Sequence, residues 1–169
     1  MNTKQEVMEN LQMVDEYMPA MFPELKKLSF VVTGGASFLL KGYTNKVTLD
    51  IDSITEMDES VLSFLESFSI NNAASEVTPL SSSYTERLTK IRGGFGVLDV
   101  SVLGNEDLVA SKIGRLSEDD LRDIEDTGIM EDVDFSLLTA ICEEISEKIP
   151  GYGHKWNYFK NYFQLNEVA

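Results

Sequence analysis

Two glycines and three acidic side chains are the residues best placed to do chemistry. Val32-Thr33-Gly34-Gly35-Ala36-Ser37 is followed by Thr48-Leu49-Asp50-Ile51-Asp52-Ser53 and, much later, by Val97-Leu98-Asp99-Val100-Ser101. Successive side chains of a strand point to opposite faces, so Asp50 and Asp52 share one face while Leu49 and Ile51 take the other. Two carboxylates held that close repel unless a cation lies between them, and hard oxygen donors suit magnesium. Asp99, flanked by Leu98 and Val100, repeats the pattern of an acid on an apolar strand.

Elements that could position these residues are visible in the apolar spacing. Val7, Leu11, Val14 and Met18 predict an amphipathic helix over residues 3–18, ending before Pro19. Residues 28–33 read as a strand, Gly34-Gly35 as a turn, and residues 36–41 as a helix stopped by Gly42. A second strand is expected over 47–54, then a helix capped by Asp58 and carrying Val61, Leu62, Leu65 and Phe68. Further strands are expected near 75–80, 84–92 and 95–103, the last two antiparallel across Gly93-Gly94. Helices follow: one with Asn105 as its N-cap, one opening on the capping box at Ser117 and ending at Gly128, one over 135–149, and an aromatic segment from Trp156 to Leu165. The pattern gives an α+β chain with a mixed β-sheet flanked by helices. Its α/β core spans 1–104 and a helical part over 105–169 packs on that core, with a soft boundary near 104.

Composition bounds the class of protein. At 169 residues, 43% hydrophobic and 9% aromatic, the chain can bury one real core. No apolar run approaches the roughly 20 residues of a membrane span, and Met1 to Glu16 lacks a signal-peptide core, so the expected location is the cytoplasm. The single cysteine, Cys142, excludes an internal disulfide and reads as a small core residue. With 29 acids against 14 bases the net charge is −15, which repels polyanions. No long nucleic-acid groove is expected, although a site for one triphosphate or one RNA end is compatible with the scattered basic pairs, such as Lys41 with Lys46 and Lys90 with Arg92.

Taken in order, the Gly-Gly turn with a serine two positions on, Asp50-Ile51-Asp52 and the later Asp99 resemble the DNA polymerase β-type nucleotidyltransferase superfamily. Glu106-Asp107-Leu108-Val109-Ala110-Ser111-Lys112 and Asp120-Leu121-Arg122-Asp123-Ile124 resemble the corresponding region of bacterial minimal nucleotidyltransferase domains related to abortive-infection (AbiE-type) toxins. The resemblance implies a nucleotidyltransferase-like fold and a magnesium-dependent enzyme that moves a nucleoside monophosphate from an NTP to a hydroxyl. It also implies the toxin half of a toxin–antitoxin pair, with a cognate antitoxin protein as partner. Asp50 and Asp52 would bridge two magnesium ions and Asp99 would hold the one that activates the acceptor. Gly34, Gly35, Ser37 and Lys112 would receive the triphosphate.

Each residue also has a plainer role. Ser37 serves equally as a turn cap, and Lys112 as a solvated helix lysine. Arg122 and Asp123 read as an ion-pair set, and His154 as structural or exposed. The acceptor stays open among an RNA end, a protein hydroxyl and a small molecule. A non-catalytic nucleotide- or protein-binding module of the same fold is the alternative.

Overall fold

A computed structural model describes residues 1–72 and 78–165. The chain divides into two compact units, Met1–Val77 with Leu88–Leu103, and Thr78–Arg87 with Gly104–Ala169.

The first unit is built on a five-stranded mixed sheet of order β3-β2-β1-β5-β4. Central strand β1 (Leu28–Thr33) runs antiparallel to β2 (Ile51–Ser53) and parallel to β5 (Leu98–Val102), and β3 (Ile70–Asn71) lies parallel to β2. The edge strand β4 (Thr89–Lys90) pairs antiparallel with β5, as the Gly93-Gly94 dipeptide predicts. Helices α1 (Lys4–Met21), α2 (Gly34–Leu40) and α3 (Glu59–Glu66) complete the unit. Val7, Leu11, Val14 and Met18 of α1 are buried against Phe30, Val32, Leu39, Val100 and Val102, so the helical and strand periodicities of the sequence meet in one core.

Several boundaries differ from those the sequence suggests. Helix α1 continues through Pro19 to Met21, because a proline in the last turn removes only its own N–H bond, and the end is closed by Phe22 N–H donating to Met18 O at 2.8 Å. Strand β2 is three residues long rather than eight: Val47 and Leu49 are 65% and 86% exposed, so no core rewards pairing before Ile51. Ile51 is therefore the apolar anchor of the Asp50–Asp52 segment, and Leu49 is not. Residues 75–77 of the strand expected near 75–80 lie outside the described residues; residues 78–80 are irregular. The 84–92 strand is reduced to β4, preceded by a 3₁₀ turn at Tyr84–Arg87.

The second unit consists of helices α4 (Asn105–Ile113), α5 (Glu118–Thr127), α6 (Phe135–Lys148) and α7 (Tyr152–Tyr162). The N-cap of α4 is Gly104; Asn105 is the first helical residue, and its side-chain amide donates to Asp132 O instead. The capping box at Ser117 forms as expected, Ser117 Oγ accepting from Asp120 N–H while the Asp120 carboxylate accepts from Ser117 N–H. Residues 78–87 join this unit through polar contacts: the Ser81 hydroxyl and the Ser82 amide donate to Glu144, and Arg87 grips the fully buried Asp107 with two N–H groups at 2.7 and 3.0 Å. Within the serine run Ser81 Oγ also accepts from the amide of Ser83, a local bond of the kind that competes with strand pairing. Cys142 is buried, and burial pushes its thiol up to about 12. No helix among the described residues is long and apolar enough to cross a membrane.

Candidate active site

The end of β1 sets the site. Phe30, Val31 and Val32 are buried at the sheet centre, and Thr33, only 4% exposed, is the last residue in extended conformation. Gly34 then turns the chain into α2 with φ +67°, a conformation that side-chain-bearing residues adopt at a cost. A Cβ at Gly34 would lie 2.6 Å from Asp52 Oδ2, so the absent side chain is what lets the carboxylate rest on the turn.

Asp52 comes to that place through strand pairing. It lies opposite Thr33 across the β1–β2 ladder, with Ile51 and Ser53 fully buried on the other face. Its Oδ1 accepts from Asn71 Nδ2 at 2.9 Å, and Asn71 is its partner residue on β3. Three adjacent strands thus orient one carboxylate. Asp50 precedes β2 and is exposed; its carbonyl accepts from Thr48 Oγ1, and its carboxylate has no hydrogen-bond or ion-pair partner among the described residues.

Gly35 makes room for a second side chain. A Cβ there would lie 2.6 Å from Lys46 Cε and 3.1 Å from Thr48, so the aliphatic stem of Lys46 crosses the Gly-Gly turn. In the sequence Lys46 is only half of a loose basic pair, and Asn71 belongs to no pattern. Lys46 carried no signal, because residues 46–50 lie outside β2 and strand alternation does not govern them. Asn71 carried none, because its place depends on a two-residue strand. Ser37 is fully buried and donates through Oγ to Gly34 O at 2.6 Å, so its hydroxyl clamps the turn from inside.

Asp99 is the expected ligand that the tertiary structure sets apart. Its alternation is as the sequence implies, with Leu98, Val100 and Val102 buried and Asp99 exposed. Yet β5 pairs with β1 in a register that puts Asp99 opposite Ser29, whereas Asp52 lies opposite Thr33. Four residues along a strand is about 13 Å and two inter-strand steps about 10 Å, so the two carboxylates share a sheet face roughly 16 Å apart. Asp99 instead meets Lys90 at 3.5 Å. Among the described residues no three His, Cys, Asp or Glu side chains are grouped to hold one metal ion.

Lys112 belongs to the helical unit and is engaged there. Its Nζ is 2.9 Å from Asp123 and 3.3 Å from Asp120, with 10% of the side chain exposed. Asp120 also takes two N–H bonds from Arg115, both at 2.8 Å. Burial raises the Asp120 carboxyl, but Arg115, Ser117 and Lys112 outweigh it and hold the group well below the usual carboxylate range. Arg122 pairs with Asp119 one turn away, so this stretch is the ion-pair set its composition suggests.

A family model described as a nucleotidyltransferase of unknown function (DUF6036) matches residues 9–168 of the chain. The α+β architecture and the small mixed sheet are consistent with a nucleotidyltransferase-like fold. No curated protein and no solved structure matches the chain.

Proposed function

The chain belongs to this nucleotidyltransferase family, and from that premise we propose that it transfers a nucleoside monophosphate from an NTP to a hydroxyl acceptor with the help of magnesium, at the Gly34–Gly35 turn. The observation that carries the proposal is the contact of Asp52 Oδ2 with the space a Gly34 side chain would fill, which joins a carboxylate and a glycine turn in one site.

The residues present suit magnesium. That ion is held by one or two carboxylates plus substrate phosphates, and Asp50 and Asp52 supply hard oxygens without a competing ion pair among the described residues. When bound there, the metal would supply charge stabilisation for the attacking oxygen and the leaving pyrophosphate. The chain's own residues do the positioning. Asn71 fixes the Asp52 carboxylate through Oδ1, leaving Oδ2 toward the turn. Gly34 and Gly35 let the triphosphate approach the backbone, and Lys46, lying across Gly35, offsets its charge. Asp99 has no part in this site, and Lys112 stays with Asp120 and Asp123. The acceptor hydroxyl oxygen forms a bond to the α-phosphorus as the bond to pyrophosphate breaks, and the hydroxyl proton leaves to solvent.

A toxin role, with an antitoxin as partner and the cytoplasm as setting, fits a small transferase of this kind. The charge of −15 favours a short RNA end, a protein hydroxyl or a small molecule as acceptor over a long duplex. The second reading is a binding module that holds nucleotide without transferring it, and the lack of a three-carboxylate group among the described residues favours it. Incubation with magnesium and each α-labelled NTP, offering cell lysate, total transfer RNA and the protein itself as acceptors, separates the two. Label that appears in one acceptor and is lost in Asp52→Asn supports transfer. Magnesium-dependent thermal stabilisation by NTP with no label in any acceptor supports the module.

A further inference from the structure

A cavity of about 200 Å³ lies at the edge of the sheet, its lining including Lys27, Lys90, Arg92, the Gly93-Gly94 turn and Asp99. It is cationic in a chain of net charge −15. The lining holds three basic residues and one acid, which leaves two positive charges in excess. Five bases of the helical unit are engaged differently: Arg87, Lys112, Arg115, Arg122 and Lys148 each sit in an ion pair with an acid of the same unit. Lys27 and Arg92 have no ion pair or hydrogen-bond partner for their side chains among the described residues. Nor do the amides of Gly93 and Gly94 find an acceptor there. Unpartnered turn amides beside cations make an anion-binding concavity.

The loop that carries these groups is fixed from behind by α1. Gln12 donates to Gly93 O at 3.0 Å, and Asp15, 8% exposed, accepts the amides of Gly96, Val97 and Leu98, each at 2.8 Å. A buried carboxylate that takes three N–H bonds holds the loop in one shape before any ligand arrives, which lowers the ordering cost of binding. We infer that the cavity between Lys27, Lys90, Arg92 and the Gly93-Gly94 turn binds a phosphate monoester. Two excess charges match the dianion that such a group becomes above pH of about 6. Asp99 then acts as a spacer that holds Lys90 in the rim by the 3.5 Å contact and limits the excess charge, so that the site releases its ligand.

The site lies on another part of the sheet from Gly34 and Asp52 and stands whether or not transfer occurs there. The test is a magnesium-free ¹H–¹⁵N NMR titration of the full chain with inorganic phosphate and with a nucleoside 5′-monophosphate, following the amides of Gly93 and Gly94. Both probes are expected to shift these amides. Equal affinity assigns the site to the phosphate alone, and tighter binding of the nucleotide assigns it to a phosphate carried on a nucleoside; either supports the proposal. Lys27→Gln and Arg92→Gln should each weaken binding roughly two- to fivefold, as exposed charge contacts do. Asp99→Asn should tighten it by a similar factor. No shift at Gly93 and Gly94 with either probe, unchanged affinity in the Lys27→Gln/Arg92→Gln double variant, or weaker binding in Asp99→Asn overturns it.

Discussion

A single hydrogen atom in place of a side chain decides the geometry of the candidate active site. Gly34→Ala would force a Cβ to 2.6 Å from Asp52 Oδ2 at a φ of +67°, so both the turn and the carboxylate must move. The expected cost is about 1–3 kcal/mol by urea unfolding, with loss of magnesium-dependent stabilisation by NTP. Asp50→Asn makes the opposite case. Its carboxylate is exposed and unpartnered among the described residues, so stability should change by less than about 0.5 kcal/mol while the magnesium-dependent stabilisation disappears. If unfolding of Asp50→Asn is markedly easier, the acid is structural. Asp15→Ala is expected to be the more damaging acid substitution, at about 3 kcal/mol or more, because it strips three amides of their acceptor at once.

At the scale of elements, the junction of α4 and α5 concentrates the ionic interactions of the helical unit. Ser117→Ala removes the side chain that caps α5 and should cost about 1 kcal/mol. The same junction sets an acid limit on stability. Asp120 is held below its ordinary range in the folded chain, so its contribution is fully present above the unfolded carboxylate pKa near 4 and is lost as pH falls further. Glu144, lowered to about 2 by Lys148, the amide of Ser82 and Ser81, titrates in the same sense. Urea midpoints measured at pH 7, 4 and 3 should therefore fall mainly below pH 4, and Asp120→Asn should flatten that fall while lowering stability at pH 7. An unchanged pH profile in Asp120→Asn would assign the acid sensitivity to other carboxylates.

Across the whole molecule, 29 acids and 14 bases leave a field that opposes compaction. Raising sodium chloride from roughly 10 mM to 0.3 M shortens the screening length severalfold, so the melting temperature should rise. A fall would mean that the ion pairs of the helical unit outweigh the general repulsion. The same field explains why the cations of the edge cavity stand out: five bases of the helical unit are ion-paired with acids, whereas the cavity holds more cations than carboxylates and attracts small anions without attracting a polyanion.

The sequence by itself determined the features that depend on neighbours along the chain. The apolar spacing of Val7, Leu11, Val14 and Met18, the run ending in Gly34-Gly35, the capping box at Ser117 and the alternation around Asp99 are local signals, and each reappears in the folded chain. So is the face that Asp52 and Asp99 share. Only the tertiary structure decided how far apart they lie along that face, since alternation fixes a side of the sheet and leaves the register free. Asn71, Asp15 and the engagement of Lys112 were hidden for the same reason: their partners are 19, more than 80 and 8 to 11 residues away, and nothing in a local pattern specifies which distant group folding will bring to them. Strand β2 shortened because the solvent, not the pattern, received Val47 and Leu49.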